Sequence, residues 1–361
     1  MSVEKKALKL LKKYQQTVNK LLLEYFRQEK NKAKKTDLVA WQSVKSIEKF
    51  VLAGGKRLRP ALLYYAYLAS GRRSSLAIKK ASLSIELIHS FLLIHDDIMD
   101  RDYKRHGQDT IHEKYRKLAQ KYFPDKDHEH YGQSLAIVIG DLCYTLGNKV
   151  LFQADFPAKT ILKALTKLQD IVYEVIPGQI RDITLEFKSK VSEKEILRVQ
   201  EAKTAHYTFA GPIQMGCILA GNKNKTMQEN FTRYSLAVGK AFQIRDDILG
   251  IFGEEKKLGK PVGSDISEGK QTLLVNYVLK KGTPHQKRII NGLLGKEKIS
   301  QTDLNIFRQI IKESGSLDYS LHKGEELVKE ALSALEQIKF HNQEAKIFFS
   351  GIAHYIIKRE I

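Results

Sequence analysis

Three aspartates close an apolar stretch that runs from Ser84 to Asp102. Asp96, Asp97 and Asp100 follow apolar residues that recur at spacings of three and four, which predicts a buried helix face. At about 100° per residue the three carboxylates share one arc, and they repel one another unless a cation lies among them. Carboxylates without cysteine or paired histidine at ligand spacing suit magnesium. The stretch therefore predicts a helix that ends in a magnesium site.

A second acidic pair lies far downstream in the chain. Asp246 and Asp247 again end an apolar helical run, and Gln243 and Gly250 share their arc. His89 lies on nearly the same helix face as Asp96, two turns earlier. Two acidic clusters in one chain predict a single shared metal site.

Cationic residues flank both acidic clusters. Gly54 and Gly55 permit a tight turn and a close approach of the backbone to a ligand, and a basic run that could bind a phosphate follows them. The cations are Lys56, Arg57 and Arg59 in that run before Pro60, Lys104, Arg105 and His106 after the first cluster, and Lys260 and Lys270 in a glycine-rich loop after the second. The first run is equally consistent with a basic helix terminus that is exposed to water.

Two further segments place polar groups among apolar ones. Gln179, Asp182 and Glu186 share one helix face. Lys203, which Thr204 follows, lies among small and apolar residues, where an isolated ammonium group needs an anionic partner. Both segments supply candidate site residues.

The composition bounds the class of protein. The chain has 361 residues and a formal net charge of +20, which favours anionic partners such as phosphates, nucleic acid or an acidic membrane surface. Cys143 and Cys217 have no partner at ligand spacing, so we expect buried thiols in a reducing compartment. The N-terminus lacks the apolar core of a signal peptide, and no window has the roughly 18 apolar residues of a spanning helix. We therefore expect a cytoplasmic protein without a transmembrane segment.

Amphipathic periodicity along almost the whole chain predicts an all-α fold. We expect a helix at residues 2–30, a polar linker at 31–37, a helix from about Leu38 to the paired glycines, and packing helices from about Thr283 onward. Most prolines are expected at helix breaks, as at Pro60, Pro157, Pro177 and Pro212. Residues 117–132 predict a surface loop in which His128 and His130 are solvated rather than bound to a metal.

The order of these motifs resembles that of the trans-isoprenyl diphosphate synthases, the polyprenyl synthetase family. The resemblance rests on GGKRLRP, then DDIMD, then Gln179 and Asp182, then Lys203 and Thr204, then FQIRDD, then GKPVGSDISEGKQTL. It implies one large helical bundle around an apolar cavity, with residues 1–361 as a single domain and the motifs in a core of about 45–280. Residues 1–37 would form an N-terminal helix and linker, and residues 281–361 would pack against the core.

The resemblance also implies an activity and a set of residue roles. The family condenses isopentenyl diphosphate with an allylic diphosphate in a magnesium-dependent reaction and forms homodimers, and nucleic acid is not an expected partner. The resemblance assigns magnesium binding to Asp96, Asp97, Asp100 and Asp246. It assigns catalysis to the same four aspartates with Asp247, Arg105 and Lys203. It assigns substrate binding to Lys56, Arg59, His89, Arg105, His106, Lys203, Thr204, Gln243, Lys260 and Lys270.

Three positions depart from the family pattern. His106 replaces the second of two arginines, so its positive charge depends on pH, and we expect the Michaelis constant for isopentenyl diphosphate to rise from about pH 6 to 8. Gly250 replaces the last aspartate of the second motif. The loop predicted at 117–132 is longer than the family has.

One bulky aromatic, Phe91, with Leu92 beside it one turn before the first motif, resembles the pocket floor of geranylgeranyl (C20) synthases.

Other functions fit parts of the sequence. A farnesyl or longer-chain polyprenyl synthase would share all of the motifs, and a terpene cyclase would share only the first. His95 and Asp96 could form the metal-binding pair of an HD-type phosphohydrolase, which leaves the second cluster unexplained. A basic nucleic-acid or membrane-surface binding protein would explain the charge and predicts steep salt dependence without turnover. An inactive partner subunit would not need intact acidic clusters.

Overall fold

The computed structural model describes residues 1–188, 190–253 and 262–358, and these residues are almost entirely helical, as predicted. The first half contains α1 (Val3–Thr36), α2 (Leu38–Leu52), α3 (Leu58–Ala69), α4 (Leu76–Ala81), α5 (Leu83–Met99), a hairpin of β1 (Lys104–Arg105) and β2 (Gln108–Asp109), α6 (Ile111–Tyr122), α7 (His128–Phe152) and α8 (Ala158–Glu186). The second half contains α9 (Glu193–Gln200), the π-helix π1 (Glu201–Ala210), α10 (Gly211–Leu219), α11 (Lys225–Phe252), α12 (Ser264–Ser267), α13 (Leu273–Lys281), α14 (Pro284–Leu293), α15 (Gln301–Glu313), α16 (Ser316–Glu336) and α17 (Gln343–Lys358).

The helix α11 connects two clusters of buried apolar residues. Its first half, with Phe231 and Tyr234, belongs to the main core, to which α1, α3, α5, α7, α8, α10 and α17 also contribute. Its second half, with Ile244 and Ile248, belongs to a smaller core with helices α12 to α15. Because α11 packs against π1 on one side and α16 on another, its acidic end is held in a fixed position.

The helix that carries the first acidic cluster lies where the sequence predicts it. The buried residues of α5 include Leu83, Leu87, Ile94 and Asp97, and the helix packs against α7. The last turn is closed by the amide of Asp100, which donates to the carbonyl of Asp96 (2.8 Å). The chain then turns back through the short hairpin, so the cations that follow the motif return towards its aspartates.

The predicted linker at residues 31–37 is wrong, because α1 continues to Thr36. Polarity suggested a linker, but the segment contains no proline or glycine, and its lysines and alanine favour a helix. The helix ends only at Asp37, whose side chain accepts a hydrogen bond from the amide of Ala40 and caps α2.

The predicted loop at residues 117–132 is also wrong in extent. Residues 117–122 complete α6, and α7 begins at His128, so that only residues 123–127 connect the two helices. Gly132 is needed where α7 crosses α6, because a Cβ atom there would lie 2.5 Å from the carbonyl oxygen of His112. The glycine therefore permits close helix packing rather than a loop. Nε2 of His128 contacts the carbonyl of Phe123 (2.8 Å), in line with the expected solvated role.

Two of the four prolines do not interrupt a helix. Pro177 lies inside α8, and Tyr173, whose carbonyl loses its usual partner, is 78% exposed, so that water can satisfy the carbonyl. Pro212 lies in the first turn of α10, where a missing amide hydrogen costs little, and the helix continues directly from π1.

One helix, α7, is long and apolar enough by length and composition alone to cross a membrane. It packs against α5 and α6, and Ala136, Ile139, Cys143 and Leu146 are buried there. A core helix of a soluble protein passes the same test, so α7 carries little evidence for a span.

Candidate active site

Asp96 of the first acidic cluster meets the polar residues of α8 and π1. Nε2 of Gln179 donates to Oδ1 of Asp96 (3.0 Å), and Nζ of Lys203 lies 3.5 Å from the same oxygen. Nζ of Lys203 also donates to Asp182 (2.8 Å). The structure therefore brings together four residues that the sequence singled out from three separate segments.

Asp97 points away from this group and binds the arginine of the hairpin. The residue is fully buried, and Nε of Arg105 donates to its Oδ1 atom (2.6 Å). Among the described residues its Oδ2 atom has no hydrogen-bond partner. Burial raises the pKa of Asp97 to about 7, although Arg105 opposes the shift. Asp97 thus holds the hairpin against the end of α5.

Lys270 connects the two acidic clusters. Its Nζ atom lies 3.7 Å from Oδ2 of Asp100 and 3.8 Å from Oδ1 of Asp265, and it also forms an ion pair with Glu268. Burial raises the pKa of Asp247 at the end of α11, and the charge of Lys270 opposes this rise. Carboxylates from α5 and from the α12 segment therefore surround one half-buried ammonium group, which also acts on the end of α11.

Amide and hydroxyl groups hold the second cluster in place. The two oxygens of Asp247 accept hydrogen bonds from Nε2 of Gln243 (2.8 Å) and Nε2 of Gln200 (3.3 Å). Oγ1 of Thr204 donates to Gln243 (2.7 Å), which links π1 to α11. Asp246 is half-buried next to this network and contributes to the raised pKa of Asp247.

Several of these carboxylates lie close together, with too little positive charge nearby to keep their pKa values in the usual range. The pKa of Asp100 is raised to about 6 and that of Asp247 to about 7, mainly by burial and in part by neighbouring carboxylates. Burial likewise raises the pKa of Glu186 to about 7. Residues 1–188, 190–253 and 262–358 contain no group of three His, Cys, Asp or Glu side chains that could hold a metal ion alone. Magnesium usually binds through one or two carboxylates, water and substrate phosphates, so this donor set fits it.

The glycine turn before α3 is fixed by an arginine that points inward. Arg57 has a left-handed backbone (φ 54°), and its buried guanidinium pairs with Glu86 and donates to the carbonyl of Val51 (2.6 Å). Gly55, with φ 108°, adopts a conformation that favours glycine. With Arg57 used as scaffold, Lys56 and Arg59 remain to face a ligand. Nζ of Lys56 meets the hydroxyl of Tyr355 from α17 (2.8 Å).

A neutral histidine lies at the centre of the basic side. Nδ1 of His89 lies 2.7 Å from the hydroxyl of Tyr207. Arg59 lies 4.5 Å from the centre of the Tyr207 ring and donates to Thr208 (2.7 Å), while its Nε atom is buried and lacks a partner among the described residues. Burial lowers the pKa of His89 well below its usual value, and the nearby Arg59, Arg105, Arg57 and His106 lower it further. Positive charges from the glycine turn and from the hairpin therefore converge on one buried position.

His106 reaches this group across the glycine turn. Its Cγ atom lies 2.7 Å from the position that a Cβ atom on residue 54 would occupy, so the imidazole packs directly on Gly54. Burial lowers the pKa of His106, and Arg105 and Arg57 lower it further. The hairpin and the turn thus form one basic surface.

Residues 42–311 of the chain match the family model described as "Polyprenyl synthetase". The chain belongs to the polyprenyl synthetase family. The geranylgeranyl diphosphate synthase of Saccharolobus solfataricus is 34% identical over 310 residues, which are 85% of this chain and 87% of that protein. The geranylfarnesyl diphosphate synthase of Aeropyrum pernix is 32% identical over 313 residues, 86% of this chain and 92% of that protein.

Solved structures agree over nearly the whole length. The structure of geranylgeranyl pyrophosphate synthase from Corynebacterium glutamicum, in complex with isoprenyl diphosphate and magnesium, has a TM-score of 0.91 and 28% sequence identity. The match covers 97% of this chain and 99% of that one. The fold of this polyprenyl synthetase is thus that of its family.

Sequence reasoning missed several residues of this polyprenyl synthetase site. A Cβ atom on Gly250 would lie 2.6 Å from Oδ2 of Asp265, so the carboxylate of Asp265 fills the space beside the glycine. Tyr207 and Thr208 were missed because they became neighbours of His89 and Arg59 only through the ten-residue π-helix. A π-helix shifts side chains from their α-helical positions, and π-helical turns are frequent at functional sites.

The predicted pocket floor of the polyprenyl synthetase lies against α7. The Phe91 ring is 5.2 Å from that of Tyr144 and 4.9 Å from that of His95. The hydroxyl of Tyr144 binds Gln169 of α8. Leu92 is half-buried against the same core. Lys260, another predicted ligand, lies outside the described residues.

The lowered pKa of His106 shifts to lower pH the range in which the sequence predicts a rise of the Michaelis constant for isopentenyl diphosphate. The cationic form of His106 predominates only below its pKa, which lies under 6.5, so we expect the benefit of His106 to be lost as the pH rises through that lowered pKa and to be small at pH 7–8. At a pH below that pKa the Michaelis constant for isopentenyl diphosphate should be about tenfold lower in the native enzyme than in His106→Gln.

The His106→Gln variant also serves as the control for ionisation of the substrate itself. His106→Arg should keep the low Michaelis constant up to pH 8, because arginine stays charged. Identical profiles for the native enzyme and His106→Gln would show that His106 does not contact the diphosphate.

Proposed function

We propose that this protein is a trans-prenyltransferase that condenses isopentenyl diphosphate with an allylic diphosphate, with the whole chain acting as one domain and geranylgeranyl diphosphate (C20) as its product. The observation that carries the proposal is the pairing of two charged regions. Nζ of Lys270 lies 3.7 Å from Asp100 at the end of α5 and 3.8 Å from Asp265 of α12, and its charge also acts on Asp247 of α11. The cations around His89 lie next to this region, because Arg105 pairs with Asp97 and also lowers the pKa of His89. A transferase for two diphosphates needs two anion sites side by side.

The acidic region would bind the allylic diphosphate. Asp96 and Asp100 present carboxylates at the end of α5, and Asp246 presents one from α11, so these three would hold magnesium, which neutralises charge on the departing diphosphate. Asp97 is already bound to Arg105 and would position that arginine instead of binding metal. Lys203 and Lys270 are close enough to contact the outer diphosphate oxygens, and Lys260 is proposed for the same role from the sequence alone.

The basic region would bind isopentenyl diphosphate. Arg59 has a buried Nε atom with no partner among the described residues, so an anion that bound there would satisfy it. His89 is neutral, and its hydrogen bond with Tyr207 leaves Nε2 to face the ligand. Lys56 and His106 would complete the site from opposite sides of the Gly54 backbone.

This arrangement supports an ionisation, condensation and elimination sequence. The allylic carbon–oxygen bond breaks and its electrons leave with the diphosphate, where lysines and arginine stabilise the negative charge. The double bond of isopentenyl diphosphate then attacks the allylic carbon, a new carbon–carbon bond forms, and loss of a proton restores the double bond. Apolar walls are required because water would trap the cation, and Phe91, Leu92 and Tyr144 would line this part of the pocket.

Product length is assigned from this floor, since relatives of nearly equal identity carry the names of C20 and C25 synthases. The Phe91 ring is braced by Tyr144 and His95, and Gln169 holds Tyr144 in turn through its hydroxyl. Such a braced aromatic would stop chain growth at a defined depth, which favours the C20 product over a longer one.

We also infer a homodimer from an exposed apolar stripe on α8. Leu162, Tyr173, Ile176, Ile180 and Phe187 are 49–86% exposed, and at about 100° per residue they fall within an arc of about 60°. Ile137 and Val138 of α7 are also exposed. Contiguous apolar surface of this kind is typical of a subunit interface.

The phosphohydrolase alternative receives little support. Nε2 of His95 points to α7, where it lies 3.1 Å from the carbonyl of Ile137, and so it cannot pair with Asp96 at one metal ion in this arrangement. Cys143 and Cys217 are both buried and unpaired, which fits a reducing compartment and supports the proposed cytoplasmic location.

Removal of one proposed metal ligand tests the acidic region. We expect Asp96→Ala and Asp246→Ala each to lower the rate of isopentenyl transfer by at least about a hundredfold, because an electrostatic stabiliser of the leaving group is lost. The rate is measured as labelled isopentenyl diphosphate converted to acid-labile product. Asp125→Ala, at an exposed residue, should retain the native rate. Native turnover in either ligand variant contradicts the proposal.

Truncation of the floor tests product length. Phe91→Ala should shift the products from C20 to longer chains, because the space of the ring becomes available to the growing chain. Chromatography of the dephosphorylated products measures the distribution, with Phe123→Ala, an exposed phenylalanine, as control. An unchanged distribution would mean that the floor lies elsewhere.

Charge placed on the α8 stripe tests the dimer. Light scattering should give half the native mass for the double variant Tyr173→Glu and Ile176→Glu. Glutamates that become buried without partners at the interface disfavour association of the two subunits. Ile306→Glu, at an exposed isoleucine of α15, should leave the mass unchanged. A native protein that is already monomeric refutes the interface.

A further inference from the structure

A basic surface with apolar side chains lies outside the active site. It consists of Leu38, Trp41, Lys45 and Lys49 of α2 with Lys114, Leu118 and Lys121 of α6, and we call it the lysine–tryptophan face. The α2 residues recur at spacings of three and four, so they share one side of the helix. Nζ of Lys114 donates to Ser46 of α2 (2.7 Å), which joins the two helices into one surface.

The lysines of this face have no acidic partners. In the described part of the chain, Lys45, Lys49, Lys114 and Lys121 form no ion pair, whereas the nearby Lys117 pairs with Asp109 (2.8 Å). Partial burial lowers the pKa of Lys114, and the proximity of Lys49 and Lys45 lowers it further. The face therefore concentrates like charges that repel one another and that an external anion would stabilise.

The acidic residues next to the face are already engaged. Glu48 pairs with Lys30 of α1 (2.6 Å), and the side chain of Asp37 accepts from the amide of Ala40 (2.7 Å). Neither carboxylate is directed at the face. The counter-charge must come from outside the described chain.

The apolar members of the face determine which anion fits. Leu38 is 65% exposed, and Leu118 lies exposed between the two lysines of α6. Trp41, the single tryptophan of the protein, is half-buried beneath Nζ of Lys45 (4.5 Å). Lysine above an amphipathic ring, with leucine beside it, is the combination that helices use to lie in the headgroup region of a membrane. A nucleic acid would use the lysines but not the exposed leucines.

We propose that the lysine–tryptophan face binds the surface of an anionic phospholipid bilayer. The lysines attract the acidic headgroups, and Leu38, Trp41 and Leu118 enter the interface with the acyl chains. The face is separate from the apolar stripe of α8 and from every residue proposed to bind substrate, so it can be altered without changing the active site.

Trp41 provides a direct measurement, because it is the single tryptophan. The full-length protein is mixed with vesicles of phosphatidylcholine that contain roughly one third phosphatidylglycerol, or with vesicles of phosphatidylcholine alone. At about 0.1 M salt we expect cosedimentation with the anionic vesicles and a shift of the Trp41 emission to shorter wavelength. Both should disappear at about 0.5 M salt and with neutral vesicles.

Two matched variants identify the face. Lys45→Gln with Lys49→Gln and Lys121→Gln should weaken vesicle binding by about a hundredfold, since each lysine near an anionic membrane contributes about fivefold. Lys223→Gln with Lys280→Gln and Lys281→Gln removes the same charge from exposed residues elsewhere and should bind almost as the native protein does. Both variants should retain native mass and native turnover without vesicles.

Three results would overturn the proposal. The first is equal vesicle binding by the two triple variants, and the second is cosedimentation without any shift of the Trp41 emission. The third is binding to heparin, a soluble anionic polymer, without binding to vesicles.

Discussion

The site depends on carboxylates whose negative charge is balanced by ammonium groups that lie just beyond hydrogen-bonding distance. Nζ of Lys203 lies 3.5 Å from Asp96, and Nζ of Lys270 lies 3.7 Å from Asp100. Both distances exceed a direct hydrogen bond, so the lysines reduce the repulsion between carboxylates without occupying their oxygens. Each lysine also has a closer acidic partner, Asp182 or Glu268, that holds it in place. In the proposed reaction, a substrate with its metal ions would therefore enter without first breaking a tight ion pair.

The same constraint divides the residues within each motif between support and binding. In the first acidic motif, Asp97 is committed to Arg105. Asp96 lies near Lys203, and Asp100 lies near Lys270. In the glycine turn, Arg57 is committed to Glu86, while Arg59 keeps a buried nitrogen with no partner among the described residues. A buried charge is tolerable only when it is paired. Each of these two motifs therefore needs one internal ion pair, beside which a second charged residue is available for a ligand.

Much of this organisation could be predicted from the sequence. The spacing of apolar residues gave α5 and α11, and the acidic pairs at their ends indicated one site, because the order of the motifs is more specific than any single motif. Which residue of a motif supports the fold and which one is available for a ligand could not be predicted, since Asp96 and Asp97 are chemically identical and only their neighbours in the fold differ. The π-helix could not be predicted either, because its wide turn depends on packing, as where Gly239 of α11 lies against Ala205.

The two wrong loop predictions share one cause, which is that polarity was taken as a sign of a loop. The segments at 31–37 and 117–132 are polar because they are exposed, yet their residues favour helices and little interrupts them. The helices α2 and α6 carry the lysine–tryptophan face, and they adjoin the two segments that hold Gly54 and His106. Because α2 ends at the glycine turn and α6 begins after the hairpin, a membrane bound at this face would contact the elements that support the basic half of the site. An amphipathic diphosphate product would then leave close to the bilayer in which its hydrocarbon chain is soluble.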